Sequence, residues 1–196
     1  MGLSIHYNGK FRDGADLSAM IDEIKEIAEI LNWDYHVYNR EFPEKEHREI
    51  SEMEIYGIEV IPPECEPVSF CFLPNRRLSA KHLLMFWGKT DEGMENKFLY
   101  LLSTKTQYAG IEVHKAIILL FKHLVKSNYF ENFEMIDEGE YWETGDEKIL
   151  EENFKRYNAL IDNFTLAIES TGMNENETIE DFITRIAKMI NKKRKK

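Results

Sequence analysis

The sequence predicts an α+β fold, with a mainly antiparallel sheet of about six or seven strands and helices packed on one face. Short runs in which apolar and polar residues alternate, as in half-buried strands, follow one another in the first half of the chain. Turn residues rather than helices separate most of these runs, which favours a meander over repeated βαβ units. Apolar residues then recur at three- and four-residue steps over long stretches, which is typical of helices that cover a sheet.

Seven strands are predicted. Alternation is clearest at the start of the chain, where Leu3, Ile5 and Tyr7 alternate with polar residues. Pro62 and Pro63 end the third strand, because proline has no N–H to donate to a neighbouring strand. The predicted strands are Leu3–Tyr7, Tyr35–Tyr38, Met53–Ile61, Val68–Leu73, His82–Trp87, Lys97–Ser103 and Phe133–Ile136.

Four helices are predicted, and three of them have recognisable N-caps. Asp16 precedes the first helix, and the strongly apolar second helix begins at Gly110. The third helix begins with Thr144, followed three residues later by Glu147, which is the spacing of a capping box. Thr178 is the predicted cap of the last helix.

A polar link before the last helix divides the chain into a single α+β domain (1–170) and an appended C-terminal helix with a basic tail (171–196). The domain starts like a βαβ unit and continues as a meander, so a ferredoxin-like core is one option for it.

The composition is that of one globular unit. The chain has 196 residues, of which 43% are hydrophobic and 31% charged, enough for a single buried core. Its two cysteines, Cys65 and Cys71, lack CxxC spacing, so reduced thiols in a cytoplasmic protein are expected. The first residues do not have the pattern of a secretory signal, and no apolar run approaches the roughly 20 residues of a membrane span. We therefore expect no membrane association.

The charge is unevenly distributed along the chain. The net charge is −11, although the last five residues, 192–196, are all basic. Leaving out these five positive charges puts −16 on the rest of the protein. Such a body repels phosphate backbones, so the globular part is not expected to bind nucleic acid, and a basic protein is the expected kind of partner.

The stretch Thr104–Gly110 lies between a predicted strand and a predicted helix. If Gly110 begins the helix, the stretch is near its N-terminus, where free backbone N–H groups can hold an anion. The two-glycine frame of a P-loop is missing. The alternative is a loop whose side chains cap the helix. The candidate binding residues are Thr104, Thr106, Gln107 and Tyr108.

The stretch Asp137–Glu147 is rich in carboxylates and aromatic rings. Residues 131–147 include eight acidic side chains and no Lys or Arg. The alternatives are a solvated acidic edge, a docking surface for a basic partner, and a carboxylate pair for cation binding or acid–base chemistry. EF-hand spacing and the HExxH motif are absent, so no metal site is assigned and the cofactor is left open. The candidate binding residues are Glu138, Glu140, Tyr141, Trp142 and Glu143.

Two other reactive side chains are assigned to the core. His114 shares a helix face with Ile118 and Phe121, so we predict a hydrogen-bonded core histidine rather than a ligand. Cys71 lies within an apolar strand, which predicts a buried and inert thiol. The G-x-S-x-G motif is absent, and no catalytic residue is assigned.

Four stretches together resemble a group of bacterial proteins of similar length whose function is uncharacterised. The likeness covers most of the chain, but it implies no activity, ligand or cofactor for any residue. The stretches are the opening LSIHY strand, Pro62–Pro67, Thr104–Gly110 and Asp137–Glu147.

These patterns are compatible with functions of different classes. The first is a non-enzymatic cytoplasmic binding protein that docks a basic partner on an acidic and aromatic surface. The second is a hydrolase that uses a divalent cation or a carboxylate pair. The third is a small-molecule sensor with a pocket between sheet and helices. The site hypothesis requires Thr104–Gly110 and Asp137–Glu147 to be neighbours in space, with the acidic side chains facing outward.

Overall fold

The computed structural model describes residues 2–43, 54–86, 93, 97–174 and 177–193. Met53 and Trp87 of two predicted strands, and residues 194–196 of the basic tail, lie outside these ranges. The α+β class is confirmed. The strands are β1 (Ser4–Phe11), β2 (Asp34–Val37), β3 (Tyr56–Ile61), β4 (Val68–Phe72), β5 (Leu78–Ser79), β6 (Leu102–Lys105) and β7 (Phe130–Asp137).

The helices include the four long ones that the sequence predicts, among them the C-terminal helix. A four-residue helix and a 3-10 helix at Lys81–Phe86 are also present. In chain order the α-helices described are α1 (Leu17–Ile30), α2 (Gly110–Lys126), α3 (Tyr141–Thr144), α4 (Glu147–Ser170) and α5 (Ile179–Lys193).

The strands divide between two antiparallel sheets. The first has the order β6-β1-β7 and the second the order β2-β3-β4-β5. Because β6 and β7 occupy both edges of β1, the strands between α1 and β6 form a sheet of their own. Alternation in the sequence shows which residues face a core but not which strands pair, so it could not reveal this division. A ferredoxin-like core joins its strands through βαβ units in one sheet, and that is not the arrangement observed.

The two sheets share one core. Phe11 at the end of β1 donates its N–H to the carbonyl of Arg76 at 2.8 Å, and its ring lies 5.0 Å from that of Phe72. Phe121 of α2 packs against one ring from each sheet, Tyr7 at 4.8 Å and Phe70 at 4.6 Å between centroids. These buried aromatic contacts hold the sheets and α2 together, since each ring removes a large apolar area from water.

Two predicted strands are corrected. The run predicted as a strand from His82 to Trp87 contains the 3-10 helix, in which Leu83 donates its N–H to Ala80 at 2.9 Å. A short apolar run is compatible with either a buried strand or a helical segment, so its pattern alone could not decide. The strand predicted over Lys97–Ser103 begins later, as β6.

Two of the three predicted N-caps are confirmed. The side chains of Asp16 and Thr178 accept backbone N–H groups from the first turns of α1 and α5, at 3.0 and 3.1 Å. The capping box at Thr144 is wrong, because Thr144 ends α3. Asp146 caps α4 instead, accepting a backbone N–H at 2.8 Å. The short helix α3 precedes α4, so the N-cap of α4 lies two residues later than predicted. The spacing of Thr144 and Glu147 alone does not exclude such a difference.

Gly57 is required by the close pairing of β3 and β4. Its φ is +129°, and a Cβ there would lie 2.2 Å from the carbonyl oxygen of Phe70. We predict that Gly57→Ala lowers the free energy of unfolding by about 3 kcal/mol or more, through strain and steric overlap. Gly14 also has positive φ (+79°), but apart from its chain neighbours no atom of the described residues lies within 4 Å of its Cβ position. Gly14→Ala should therefore cost only about 1–2 kcal/mol. The free energies of unfolding are measured by urea titration. Equal losses in the two variants would contradict a role for steric overlap at Gly57.

Candidate functional site

The two predicted site stretches meet at one end of the three-stranded sheet. Strand β1 pairs with β6 on one side and with β7 on the other, and its first residues, Ser4 and Ile5, are opposite Lys105 and Asp137. The chain leaves β6 and β7 at this same end, so Thr104–Gly110 and Asp137–Glu147 flank the start of β1. This part of the site hypothesis agrees with the structure.

A buried polar network connects the two stretches. The Thr106 hydroxyl lies 2.8 Å from Nδ1 of His114, and Nε2 of the same ring lies 3.0 Å from Oδ1 of Asp137. All three side chains are almost completely inaccessible, at 0%, 0% and 3% exposure. The contact between Nε2 and Oδ1 is short, but Nε2 makes no hydrogen bond within the described part of the chain. His114 is therefore a core histidine with polar partners, as the sequence predicts.

The Asp137 carboxylate is the centre of this network. It accepts backbone N–H groups from Gly139 at 2.7 Å, Tyr141 at 2.8 Å and Trp142 at 3.0 Å, which shapes the turn into α3. Burial raises the pKa of the carboxyl, but the His114 ring and the backbone N–H donors outweigh it, and the net effect is a lowered pKa. Asp137 is thus ionised in the interior and stabilised by surrounding donors.

The chemistry open to this trio is limited by its burial. Asp137 as a carboxylate can only accept hydrogen bonds, and Nδ1 of His114 shares a hydrogen bond with the Thr106 hydroxyl. A hydroxyl, an imidazole and a carboxylate also form nucleophilic triads, but a nucleophile must reach its substrate. The Thr106 hydroxyl is fully enclosed and also lies 3.4 Å from the Leu3 carbonyl. Its geometry is that of a structural network.

The remaining predicted residues of the first stretch are mostly internal. Thr104 is buried and donates to the Pro67 carbonyl at 3.0 Å. Gln107 is buried and accepts the Leu3 N–H at 2.8 Å, while its amide nitrogen donates to Asn158. Tyr108 is the exception, because 64% of it is exposed. These side chains form no open anion cradle. The predicted capping of α2 by the loop is also not observed, because the N-cap residue Ala109 has no side-chain cap hydrogen bond among the described residues.

The predicted carboxylates of the second stretch also contact the protein itself. Glu138 accepts the Ser4 N–H at 2.7 Å, and its other oxygen lies 3.9 Å from His6. Glu143 accepts the backbone N–H of Asp137 at 3.3 Å, and Glu140 accepts the Asn153 amide at 3.3 Å. Of the eight acidic residues in 131–147, Asp137 is buried, Glu138 is half-buried and the other six are exposed.

The two aromatic residues of this stretch form a small cluster with a lysine. Tyr141 is buried and Trp142 is half-buried. The ammonium group of Lys122 lies 5.5 Å from the Tyr141 ring centroid and 5.6 Å from that of Trp142. This cation–π contact places a positive charge beside the acidic stretch, although residues 131–147 contain none of their own.

A cavity that the sequence did not indicate lies between the two sheets. Its volume is about 170 Å³, and its walls come from both sheets and the 3-10 helix. Glu59 of β3 is directly opposite His36 on β2 and Ser69 on β4, so these residues form a polar row on one face of the second sheet. The polar residues that line the cavity are Tyr7, Glu59, Ser69, His82 and Ser103.

Glu59 is the most unusual side chain of this cavity. It is half-buried, and it has no hydrogen bond or ion pair with the described part of the chain. Removal from water raises the pKa of its carboxyl, and the nearby His82 and His36 reduce this rise. The sequence contains one signal for this site, which is an acidic residue in an otherwise apolar strand. That signal alone does not identify the site, because the sequence predicts a strand at His82 and does not show which strands pair.

The described residues contain no group of His, Cys, Asp and Glu side chains that could hold a metal ion. Within the same ranges, no helix has the length and apolar character needed to cross a membrane. No protein-family model, curated protein or solved structure matches the chain. The site must therefore be interpreted from its own geometry.

We predict that Asp137→Asn destabilises the protein by about 3 kcal/mol or more, because the variant leaves His114 and three backbone N–H groups with a weaker acceptor. For a chain of this size that is a fall in Tm of about 6–12 °C. The exposed Asp162 on α4 provides a control, and Asp162→Asn should be within about 0.5 kcal/mol of wild type. Calorimetry at pH 7 makes the comparison.

The same variant has a predictable pH dependence. Because the folded-state pKa of Asp137 is lowered, its contribution is present above the unfolded value of about 3.9 and is lost as pH falls through the folded value. The gap in stability between wild type and Asp137→Asn should be constant from pH 7 to about pH 4 and should narrow below that. A gap that widens on acidification would contradict an ionised Asp137.

Proposed function

We propose that this protein binds a small molecule carrying a cationic nitrogen in the cavity between its two sheets. The observation that supports this function is the half-buried Glu59 carboxyl, which faces a concave space and has no partner in the described chain. Partial removal of a carboxylate from water costs free energy, and a bound ammonium or amidinium group would supply an opposite charge and hydrogen bonds. A concave cavity with a few converging polar groups is the usual form of a ligand site.

The size of the cavity limits the ligand. At about 170 Å³ it has room for the equivalent of about five or six water molecules, each occupying roughly 30 Å³. Typical cavities for drug-sized ligands are several times larger, at roughly 300–1,000 Å³. The expected ligand is therefore compact, with an amine at one end and a short apolar or hydroxyl-bearing portion that reaches Leu83 and Ser103.

A binding function has more support than a hydrolase at the predicted stretches. The buried Thr106–His114–Asp137 network has no route to a substrate, and the carboxylates of Glu138 and Glu143 accept backbone N–H groups. The hydrolase that uses a cation or a carboxylate pair stays a prediction without a site. Docking of a basic protein also stays a prediction, with its exposed residues reduced to Tyr108, Glu140 and Glu143 among those proposed from the sequence.

The proposal is tested with a set of small amines, amidines and amino acids, together with uncharged analogues of the same size. We expect at least one cationic compound to raise the Tm of the wild-type protein and to bind in isothermal titration. Glu59→Gln should weaken that binding at least tenfold, because the charge-assisted contact is lost. Glu152→Gln, at an exposed position of α4 outside the cavity, is the matched control and should bind normally. Equal binding by Glu59→Gln, or a preference for the uncharged analogues, would reject the assignment.

Without ligand, Glu59 should limit stability near neutral pH. Its folded-state pKa is raised, so the folded state binds more protons than the unfolded state between the unfolded value of about 4.3 and the folded value. Stability therefore falls as pH rises through this window and stays lower above it. We predict that Glu59→Gln has a Tm a few degrees above wild type at pH 7, and that the difference disappears near pH 4. Calorimetry between pH 4 and 8 measures both Tm values. A Glu59→Gln variant that is less stable than wild type at pH 7 would contradict the prediction.

A further inference from the structure

The C-terminal hairpin extends away from the core. The last fully buried side chain of α4 among those described is Phe154, and the helix continues to Ser170. Helix α5 returns along α4 after a short connection, as in an αα-hairpin. Arg185 fixes the turn, because its guanidinium group pairs with Glu177 at 2.6 Å and donates to the Gly172 carbonyl at 3.0 Å.

The hairpin leaves an apolar stripe largely uncovered. Ile186 is the one residue of α5 between 179 and 189 that is buried, and it packs towards α4. On the same stripe, Ile179 is 70% exposed, Ile183 is 45% exposed and Met189 is 41% exposed. On α4, Ile168 is 38% exposed. An amphipathic helix obtains most of its stability from burying such a stripe. In this hairpin, contact between α4 and α5 buries only the centre of the stripe, at Ile186.

The charges of α5 indicate what covers this stripe. Glu180 and Asp181 lie in its first turn, while Lys188, Lys192 and Lys193 lie towards its end. When two such helices pair antiparallel about a two-fold axis, the acidic end of each lies opposite the basic end of the other. The charge pattern of α5 is therefore complementary to itself, as an isologous interface requires.

An anionic membrane surface fits the same helix less well. Interfacial helices carry Lys and Arg along the whole polar face, whereas α5 begins with two acidic residues. The rest of the protein carries −16 once the five basic residues at the end are left out, so an anionic surface repels it. Two copies of the protein also repel each other, but contact between hairpins that extend from the core separates the acidic bodies, and salt screens charges beyond about 8 Å.

We propose that the α4–α5 hairpin docks against the same hairpin of a second copy, with the two α5 helices antiparallel. The four helices then form a bundle in which Ile179, Ile183 and Met189 are buried. This interface is independent of the ligand proposed for the cavity, since none of its residues lines that cavity.

The first test measures mass in solution. We expect light scattering after gel filtration, and sedimentation equilibrium over about 1–100 µM protein, to give twice the 23.2 kDa chain mass. The double variant Ile179→Glu/Ile183→Glu should weaken association at least about 100-fold, because each change puts a charge into the apolar interface. Its circular dichroism at 222 nm should stay within about a tenth of wild type, since both positions are exposed in the single chain.

A matched control uses two equally exposed apolar residues elsewhere. Leu119 on α2 and Ile136 on β7 are 51% and 68% exposed, and Leu119→Glu/Ile136→Glu should leave the dimer intact. A wild-type protein that is monomeric at 100 µM overturns the proposal. So does a dimer that survives the hairpin variant but is lost in the control variant, because association would then lie on another face.

The second test addresses the antiparallel arrangement. Glu180→Lys/Asp181→Lys should weaken self-association, and so should Lys188→Glu/Lys192→Glu, because each places like charges opposite each other. Mixing the two variants should restore a dimer of wild-type strength. If both variants associate like wild type, the antiparallel arrangement is wrong. If wild type is monomeric but binds vesicles of phosphatidylserine through Ile179 and Ile183, the stripe is a membrane contact, and the proposal fails.

Discussion

The buried Asp137 carboxylate is the interaction on which this end of the protein depends. An ionised carboxylate in the interior is costly unless donors surround it, and here three backbone N–H groups of the turn into α3 supply them, while the His114 ring lies 3.0 Å away. The contact joins β7, α3 and α2, and the Thr106 hydroxyl extends it to the loop after β6. Gly139 allows this close packing, because a Cβ at this position would lie 2.9 Å from Nε2 of His114 and 2.6 Å from Leu150.

This constraint explains why the stretches that attract attention in the sequence are largely structural. Loops that leave a sheet must satisfy their backbone groups, and short polar side chains do so efficiently. Gln107 accepts the Leu3 N–H and Glu138 accepts the Ser4 N–H at the start of β1, just beyond the last residues of β6 and β7. Hydroxyls, amides and carboxylates gathered at strand ends therefore resemble a functional site even when their partners are the protein itself.

The sequence predicted the elements better than their arrangement. The four long helices and the caps at Asp16 and Thr178 follow from local periodicity and short-range hydrogen bonds, and both can be recognised without the fold. The division into two sheets depends on which strands pair with β1, a long-range choice that alternation does not encode. The cavity was missed for the same reason, because Glu59, Ser103 and Tyr7 become neighbours only after the sheets face each other.

The side chains without internal partners are a better guide to function than the chemically richest motifs. The acidic stretch contains many carboxylates, yet backbone N–H groups, Asn153 and His6 contact several of them, and Lys122 lies over the adjacent rings. By contrast, Glu59 makes no hydrogen bond or ion pair with the described part of the chain, and the apolar stripe of α5 has a hydrophobic surface that one copy does not cover. A binding event at either place would replace a missing interaction rather than disrupt an existing one. A half-buried carboxyl beside a cavity and several exposed apolar residues along one helix are therefore the two places where we expect binding partners.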